Sequence, residues 1–273
     1  MAEDNSKIEL TTIPACQVLK KIWKGEPVEY DHARIVGDLN LSMLDLHTQH
    51  IDRTDFEKNV SNFPEEAKLV KSEIKITNSR FEGDLRFYNA IFLERVTLNK
   101  STLKWTANFQ GSTFKKNADF GGSVFTDTDF SGSVFIGNAY FTTSRFKTVT
   151  FRESTFKEYA NFRGSTFNGN ADFDRSTVNL NADFSGSTFN GNANFRGSTF
   201  NGNADFDRST FRGDVLTFRE AKFTKPRSQE EAYRRAKNIL AKAGNRDEEE
   251  YHFYREMEAK RIQKGLRGNS GRG

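Results

Sequence analysis

The chain has a single cysteine, Cys16, in 273 residues. An internal disulfide is therefore excluded, and one thiol alone cannot hold a metal. Its four histidines, His32, His47, His50 and His252, are too scattered to form a compact ligand motif. His47 and His50 are close, but a zinc site needs more ligands than two. Long apolar runs are missing as well: no stretch approaches the roughly 18 residues that mark a membrane span. The opening MAEDNSKIEL has neither the basic nor the apolar region of a secretory leader. The expectation is a soluble, cytoplasmic chain. No glycine-rich phosphate loop, paired metal-ligand motif or nucleophile elbow occurs. Catalytic, cofactor-binding and metal-binding residues are thus all expected to be none, and the chain is not expected to be an enzyme.

Phenylalanine is plentiful, at 27 residues, and its placement is periodic. From Phe109 to Phe211 a large apolar residue recurs every five or six positions, and all are Phe except Val178. Two residues before each stands a small one, Ala or Ser, with Thr128 and Val149 breaking the rule. In extended backbone, residues i and i−2 point the same way while i−1 and i+1 point the other. Each unit therefore puts one ring and one small side chain inward. The residues just after the rings, such as Lys147, Arg163 and Asn168, are polar, as outward positions should be, with Ile136 the apolar one in that row. Mean hydropathy is low, at −0.73, which by itself suggests disorder, but the fixed period of the rings argues for a solenoid.

Grouped in fours, the rings fall into columns that repeat after 21 to 23 residues. The first runs from Ile76 through Phe120, Phe141 and Phe162 to Phe206; the second from Phe81 through Phe125 and Phe167 to Phe211. The third runs from Phe87 through Phe130 and Phe173 to Phe218, and the fourth from Phe92 through Phe135 and Val178 to Phe223. These columns hold 24 of the 27 Phe. A four-sided coil with five-residue faces and an occasional extra corner residue accounts for the period. Where the gap is six, the corner often reads Asn-Gly-Asn, as at 168–170, 190–192 and 201–203, and the expectation is that Gly and Asn supply a positive φ there. The Asp residues of the NADF units, Asp119, Asp172, Asp183 and Asp205, read as surface turn residues.

This pattern resembles the pentapeptide-repeat family over about residues 76–223, with Phe in place of the usual Leu and an eleven-residue double unit such as NADFSGSTFNG. The resemblance implies an all-β solenoid, a right-handed quadrilateral parallel β-helix. Before it, residues 1–29 contain a short amphipathic helix over 13–24, with Ala15, Val18, Leu19, Ile22 and Trp23 at helical spacing and Gly25 as its stop. Its expected task is to lid the first coil. The solenoid is expected over 30–223, starting with Tyr30, Ile35, Leu41, Leu46 and Ile51, and leaving the coil in a loop near 57–69.

After Phe223 the pattern becomes helical. Ser228-Gln-Glu-Glu231 reads as a capping box, followed by Ala232, Tyr233, Ala236, Ile239 and Leu240. A second helix from about Asp247 has Tyr251, Tyr254, Met257 and Ile262 as its apolar positions. Residues 224–264 thus form a helical hairpin, and 265–273 a basic flexible tail. The segment from AYRRAKNIL to EMEAKR resembles helices that follow such repeats in prokaryotic proteins attached to membrane or ion-channel segments.

The net charge of +4 is uneven. From Lys225 onward there are 13 Lys/Arg and 8 Asp/Glu, against 28 and 29 before it. The functional expectation is a non-catalytic rigid scaffold or protein-interaction module, of unnamed protein partner, belonging to the cytosolic part of a membrane-associated or ion-channel-type protein. A homodimer through the terminal helices and an anionic-membrane contact through Lys260, Arg261, Lys264, Arg267 and Arg272 are the partners considered; nucleic acid is disfavoured. Two alternatives come from other classes. One is mimicry of DNA, as in gyrase-binding members of the family, which the neutral body argues against. The other is ice or surface binding by the Thr155-Thr177-Thr199 and Thr166-Thr188-Thr210 columns, which mixed neighbours argue against.

Overall fold

A computed structural model of the protein describes residues 9–52 and 64–269, with the side chains after 266 left aside. It is a parallel β-solenoid of about nine turns with one helix at the N-terminal end and two at the C-terminal end. Its strands are mostly two residues long, one outward and one inward residue per face. After the five-residue corners the strand holds the ring, as in Thr166–Phe167, and after the six-residue corners it holds the small inward residue just before the ring, as in Ala171–Asp172 ahead of Phe173. Successive coils pair in parallel at the spacing expected from the sequence: Phe146 faces Phe167, which faces Phe189, which faces Phe211.

The core is a shaft of stacked rings. Phe109, Phe130 and Phe151 lie parallel with centroids 4.8 and 5.0 Å apart, and Phe120, Phe141 and Phe162 repeat this at 5.1 and 4.9 Å. The strand spacing of about 4.8 Å sets these distances, and between columns the rings meet edge to face, as Phe141 does with Phe151 at 5.2 Å. Phe87 departs from the rule, meeting Phe109 edge-on at 86°.

Two kinds of corner alternate. At a five-residue gap the chain turns through a residue with positive φ, such as Gly164 (φ 66°), and the Ser165 N–H donates to the Phe162 carbonyl at 3.0 Å. This is the geometry of a type II turn. The serine that follows then uses its hydroxyl between coils: Ser187 Oγ donates to the Phe162 carbonyl at 2.7 Å and Ser198 Oγ to that of Phe173 at 2.8 Å. Serine is thus the small inward residue after these corners because it bonds a carbonyl one coil back. The six-residue corner differs from expectation. The glycines of Asn-Gly-Asn, Gly169, Gly191 and Gly202, do not have positive φ. They are needed because corner backbones of adjacent coils touch: a Cβ on Gly191 would lie 2.4 Å from the carbonyl carbon of Gly169. The flanking asparagines tie the same corners together, Asn170 Oδ1 accepting the Asn192 N–H at 3.2 Å and Asn181 Oδ1 that of Asn203 at 3.0 Å. Gly191→Ala is therefore expected to destabilise by about 1–3 kcal/mol through forced backbone shifts, while outward Thr188→Ala changes stability little. Chemical denaturation of the two variants checks the difference.

At the N-terminal end Thr11–Pro14 is a strand, placing Ile13 opposite Ile35, and the helix α1 begins only at Ala15 and runs to Lys24. Ala15, Val18, Leu19 and Ile22 are buried over the first coil, whereas Trp23 is 57% exposed. Gly25 closes α1 with φ 71°. The first coil keeps Tyr30 and Ile35 in register with Ile76 and Phe81. Leu46 and Ile51 do not continue the parallel stack as expected: Thr48–His50 runs antiparallel to Glu66–Val70, and Val70 opens the fourth column opposite Phe92. The fourth face of the first coil is thus supplied after the excursion, most of which lies outside the described residues. Three carbonyls that this detour leaves open, those of Leu41, Ser42 and Leu44, all accept from the Lys68 ammonium.

Candidate interaction surface

The long sides of the rod are rows of polar side chains. In each NADF unit the Asp serves the turn: Asp119, Asp172, Asp183 and Asp205 accept the N–H two residues on, at 2.9, 3.0, 2.8 and 2.8 Å. This is an Asx turn. Charges along the rows pair one coil apart, Arg175 with Glu153 at 3.0 Å and Arg196 with Glu220 at 3.2 Å. A row whose acids face bases one coil away offers no continuous negative stripe. The Thr columns also exist, Thr155-Thr177-Thr199 and Thr166-Thr188-Thr210, each only three residues long between Arg, Asn and Asp. Among the described residues no group of His, Cys, Asp and Glu could hold a metal ion, and no helix is long and apolar enough to cross a membrane. Cys16 is exposed.

The C-terminal end is built differently. Helix α2, Pro226–Ala243, packs on the last coil, and α3, Arg246–Asn269, packs back on α2. The chain turns between them at Gly244, with φ 73°. Helix α3 continues five residues past Lys264, so 265–269 are helical, and 270–273 lie outside the described residues. The capping box is not used: Pro226 starts α2, and Ser228 is buried, its hydroxyl accepting the Ala204 N–H at 3.2 Å. In earlier coils that N–H goes to the next coil, as Ala182 N–H does to the Asn203 carbonyl. Ser228 therefore ends the ladder.

Other hairpin side chains close the same edge. The Tyr233 hydroxyl lies 3.2 and 3.1 Å from the Phe218 and Ala221 carbonyls, and its ring packs edge-on against Phe218 and Phe223. Burial pushes its phenol up to about 12. Arg235 donates to the Ser209 carbonyl at 3.2 Å, and Tyr251 Oη accepts the Glu220 N–H at 3.0 Å. Fully buried His252 accepts the Phe218 N–H at Nε2, 3.0 Å, while its Nδ1 donates to the Glu248 carbonyl at 2.6 Å. Those two partners require the neutral ring. An unpaired solenoid end is a template for further strands, and here side chains satisfy it one bond at a time.

Burial holds the His252 ring below its ordinary value, although the neighbouring Glu248 acts in the opposite direction. With the folded pKa below the unfolded value near 6.5, the unfolded chain takes up the proton first. The contribution of His252 is complete above about pH 6.5 and falls below it, by about 1.36 kcal/mol per pH unit until the folded pKa is reached. Thermal unfolding should show a steeper loss between pH 7 and pH 5 in the wild type than in His252→Phe.

Of the apolar row expected on α3, Tyr251 packs inward against the core, but the rest of the row faces out. Also facing inward are His252, Glu256 and Ala259, all buried, while Tyr254 and Met257 are 72% and 48% exposed and Ile262 is exposed too. Inward Glu256 is matched by Lys237 at 2.7 Å and by Lys260. Burial pushes its carboxyl up, but the two ammonium groups outweigh this and hold it below the usual range. Lys260, one of the five tail cations, is thereby engaged, whereas Arg261 and Lys264 are exposed and form no ion pair among the described residues. A shallow groove of about 430 Å³ runs between Tyr254, Met257, Arg261 and Lys264.

The model of the family described as pentapeptide repeats (9 copies) matches residues 88–134, 98–145, 130–177 and 173–222. The chain belongs to the pentapeptide-repeat family. Neither a curated protein nor a solved structure matches it. Pentapeptide-repeat proteins are generally non-enzymatic scaffolds or interaction modules. The match covers the rod from residue 88 to Lys222 and leaves out its first coils and the hairpin, so the hairpin surface is described by this chain's own geometry.

Proposed function

We propose that this pentapeptide-repeat protein is a non-catalytic interaction scaffold whose C-terminal hairpin is the attachment surface and whose rod fixes the position of that surface. The observation that carries this reading is the double character of the hairpin. Its inner side is bonded to the last coil through Ser228, Tyr233, Arg235, Tyr251 and His252. Its outer side exposes Phe253, Tyr254 and Met257. Exposed aromatic and Met side chains beside Arg are the composition that association surfaces favour. The rod sides pair some of their charges between neighbouring coils, as Arg175 does with Glu153 and Arg196 with Glu220, and the NADF rows present Asp, Asn and Arg instead of an apolar cluster.

A photo-cross-linking amino acid placed at position 254, and separately at outward position 188, tests the reading in the cells that make the protein. The expected result is a discrete higher-mass adduct from position 254 and none from position 188. Adducts from 188 alone would overturn the proposal and move the contact to the rod.

A further inference from the structure

We infer that the outer face of α3 pairs with the same face of a second copy, antiparallel, about a two-fold axis near residues 255 and 256. The inference rests on the hairpin being the attachment surface and adds the identity of the occupant. Asp247, Glu250, Tyr254, Met257, Arg261 and Lys264 are spaced 3, 4, 3, 4 and 3 residues apart. That alternation keeps them on one stripe of a helix and is the repeat of a coiled-coil seam. All six are exposed. Neither the two acids nor the two bases form an ion pair within the chain among the described residues.

The order of chemistry along the stripe is what selects the partner. It runs acid, acid, apolar, apolar, base, base, so a second stripe laid antiparallel sets Asp247 against Lys264, Glu250 against Arg261 and Tyr254 against Met257, each pair occurring twice. The numbers in every pair add to the same value, so a single two-fold axis satisfies all six contacts, as an isologous interface requires. Laid parallel, the stripe would put Glu250 on Glu250 and Arg261 on Arg261, which is repulsive. At 1.5 Å per residue the paired stretch is about 26 Å long. A contact of that length with two apolar layers lies at the small end of specific interfaces, so dissociation in the micromolar range is expected.

The test is a charge swap on the full chain, read by sedimentation velocity from about 1 to 100 μM. The wild type should pass from the 31.2 kDa monomer to a dimer. Glu250→Arg and Arg261→Glu should each weaken the dimer at least tenfold, because each replaces two attractions by two repulsions. The double variant should restore it, since the exchanged charges at positions 250 and 261 again meet as opposites across the axis. Both positions are exposed, and an unchanged far-ultraviolet spectrum confirms that the rod is intact. A wild type that stays monomeric at 100 μM, or a double variant no better than the singles, overturns the inference. So does a monomer that binds anionic vesicles through the same residues. In that last case, or if position 254 cross-links only to a different protein, the attachment reading survives and only the second copy as its occupant fails.

Discussion

Phe151→Ala is expected to lower stability by about 3–5 kcal/mol, the range for removing a buried aromatic ring. Phe151 has no solvent exposure. It stacks on Phe130 at 5.0 Å and on Phe173 at 4.9 Å, and it meets Phe141 and Phe162 edge-on at 5.2 and 5.3 Å. Alanine there removes contacts from three coils at once. The cavity cannot close, because ring positions above and below are fixed by backbone pairing at the strand spacing. Lys157→Ala, an exposed position one residue past the Phe156 ring, should change stability by a few tenths of a kcal/mol. Denaturant titrations of both variants decide the matter, and equal midpoints would refute the inward assignment of the ring columns. Because coils interact only with neighbours, a central lesion is also expected to split the transition and lower its cooperativity.

Tyr233→Ala should destabilise the C-terminal end by a similar amount, about 3–5 kcal/mol, but locally. The ring is fully buried between Phe218, Phe223 and the imidazole of His252, and its loss would open a cavity between α2 and the last coil. Loss of its hydroxyl also leaves the Phe218 and Ala221 carbonyls without their hairpin partner. Hydrogen exchange should show faster opening of amides in 216–223 and α2, with the coils around Phe141 retaining wild-type protection. Uniform acceleration along the whole rod would mean that the hairpin holds up every coil rather than the last one. If neither region changed, the packing described for Tyr233 would be wrong.

The two ends show where reading a sequence stops. Ser228 and Glu231 match a capping box, and Tyr254, Met257 and Ile262 match the inner row of a packed helix. In the folded chain Ser228 instead meets the N–H of Ala204, and α3 turns its polar His252 and Glu256 inward. Local spacing could not reveal this, because Ser228 and His252 meet partners 24 and 34 residues away along the chain on a coil edge that exists only after folding, and Glu256 meets Lys237 on the facing helix. The acid-to-base order along α3 was visible in the sequence. Its meaning required knowing that this stripe is free of α2.

The sequence by itself determined the ring columns, the inward and outward rows, the 21- to 23-residue coil and the presence of helices at both ends. Those follow from a period set by the backbone, one ring and one small residue per face, which no distant contact can alter. Only the tertiary structure decided which chemistry each corner needs and how the rod ends. Gly191 is required by the backbone of the coil beneath it rather than by its own φ, and the last coil is closed by His252, Tyr233 and Ser228. Both are contacts between segments brought together when coils stack. Composition and spacing record what a segment prefers alone, while a corner or an edge is set by the neighbour that folding places against it.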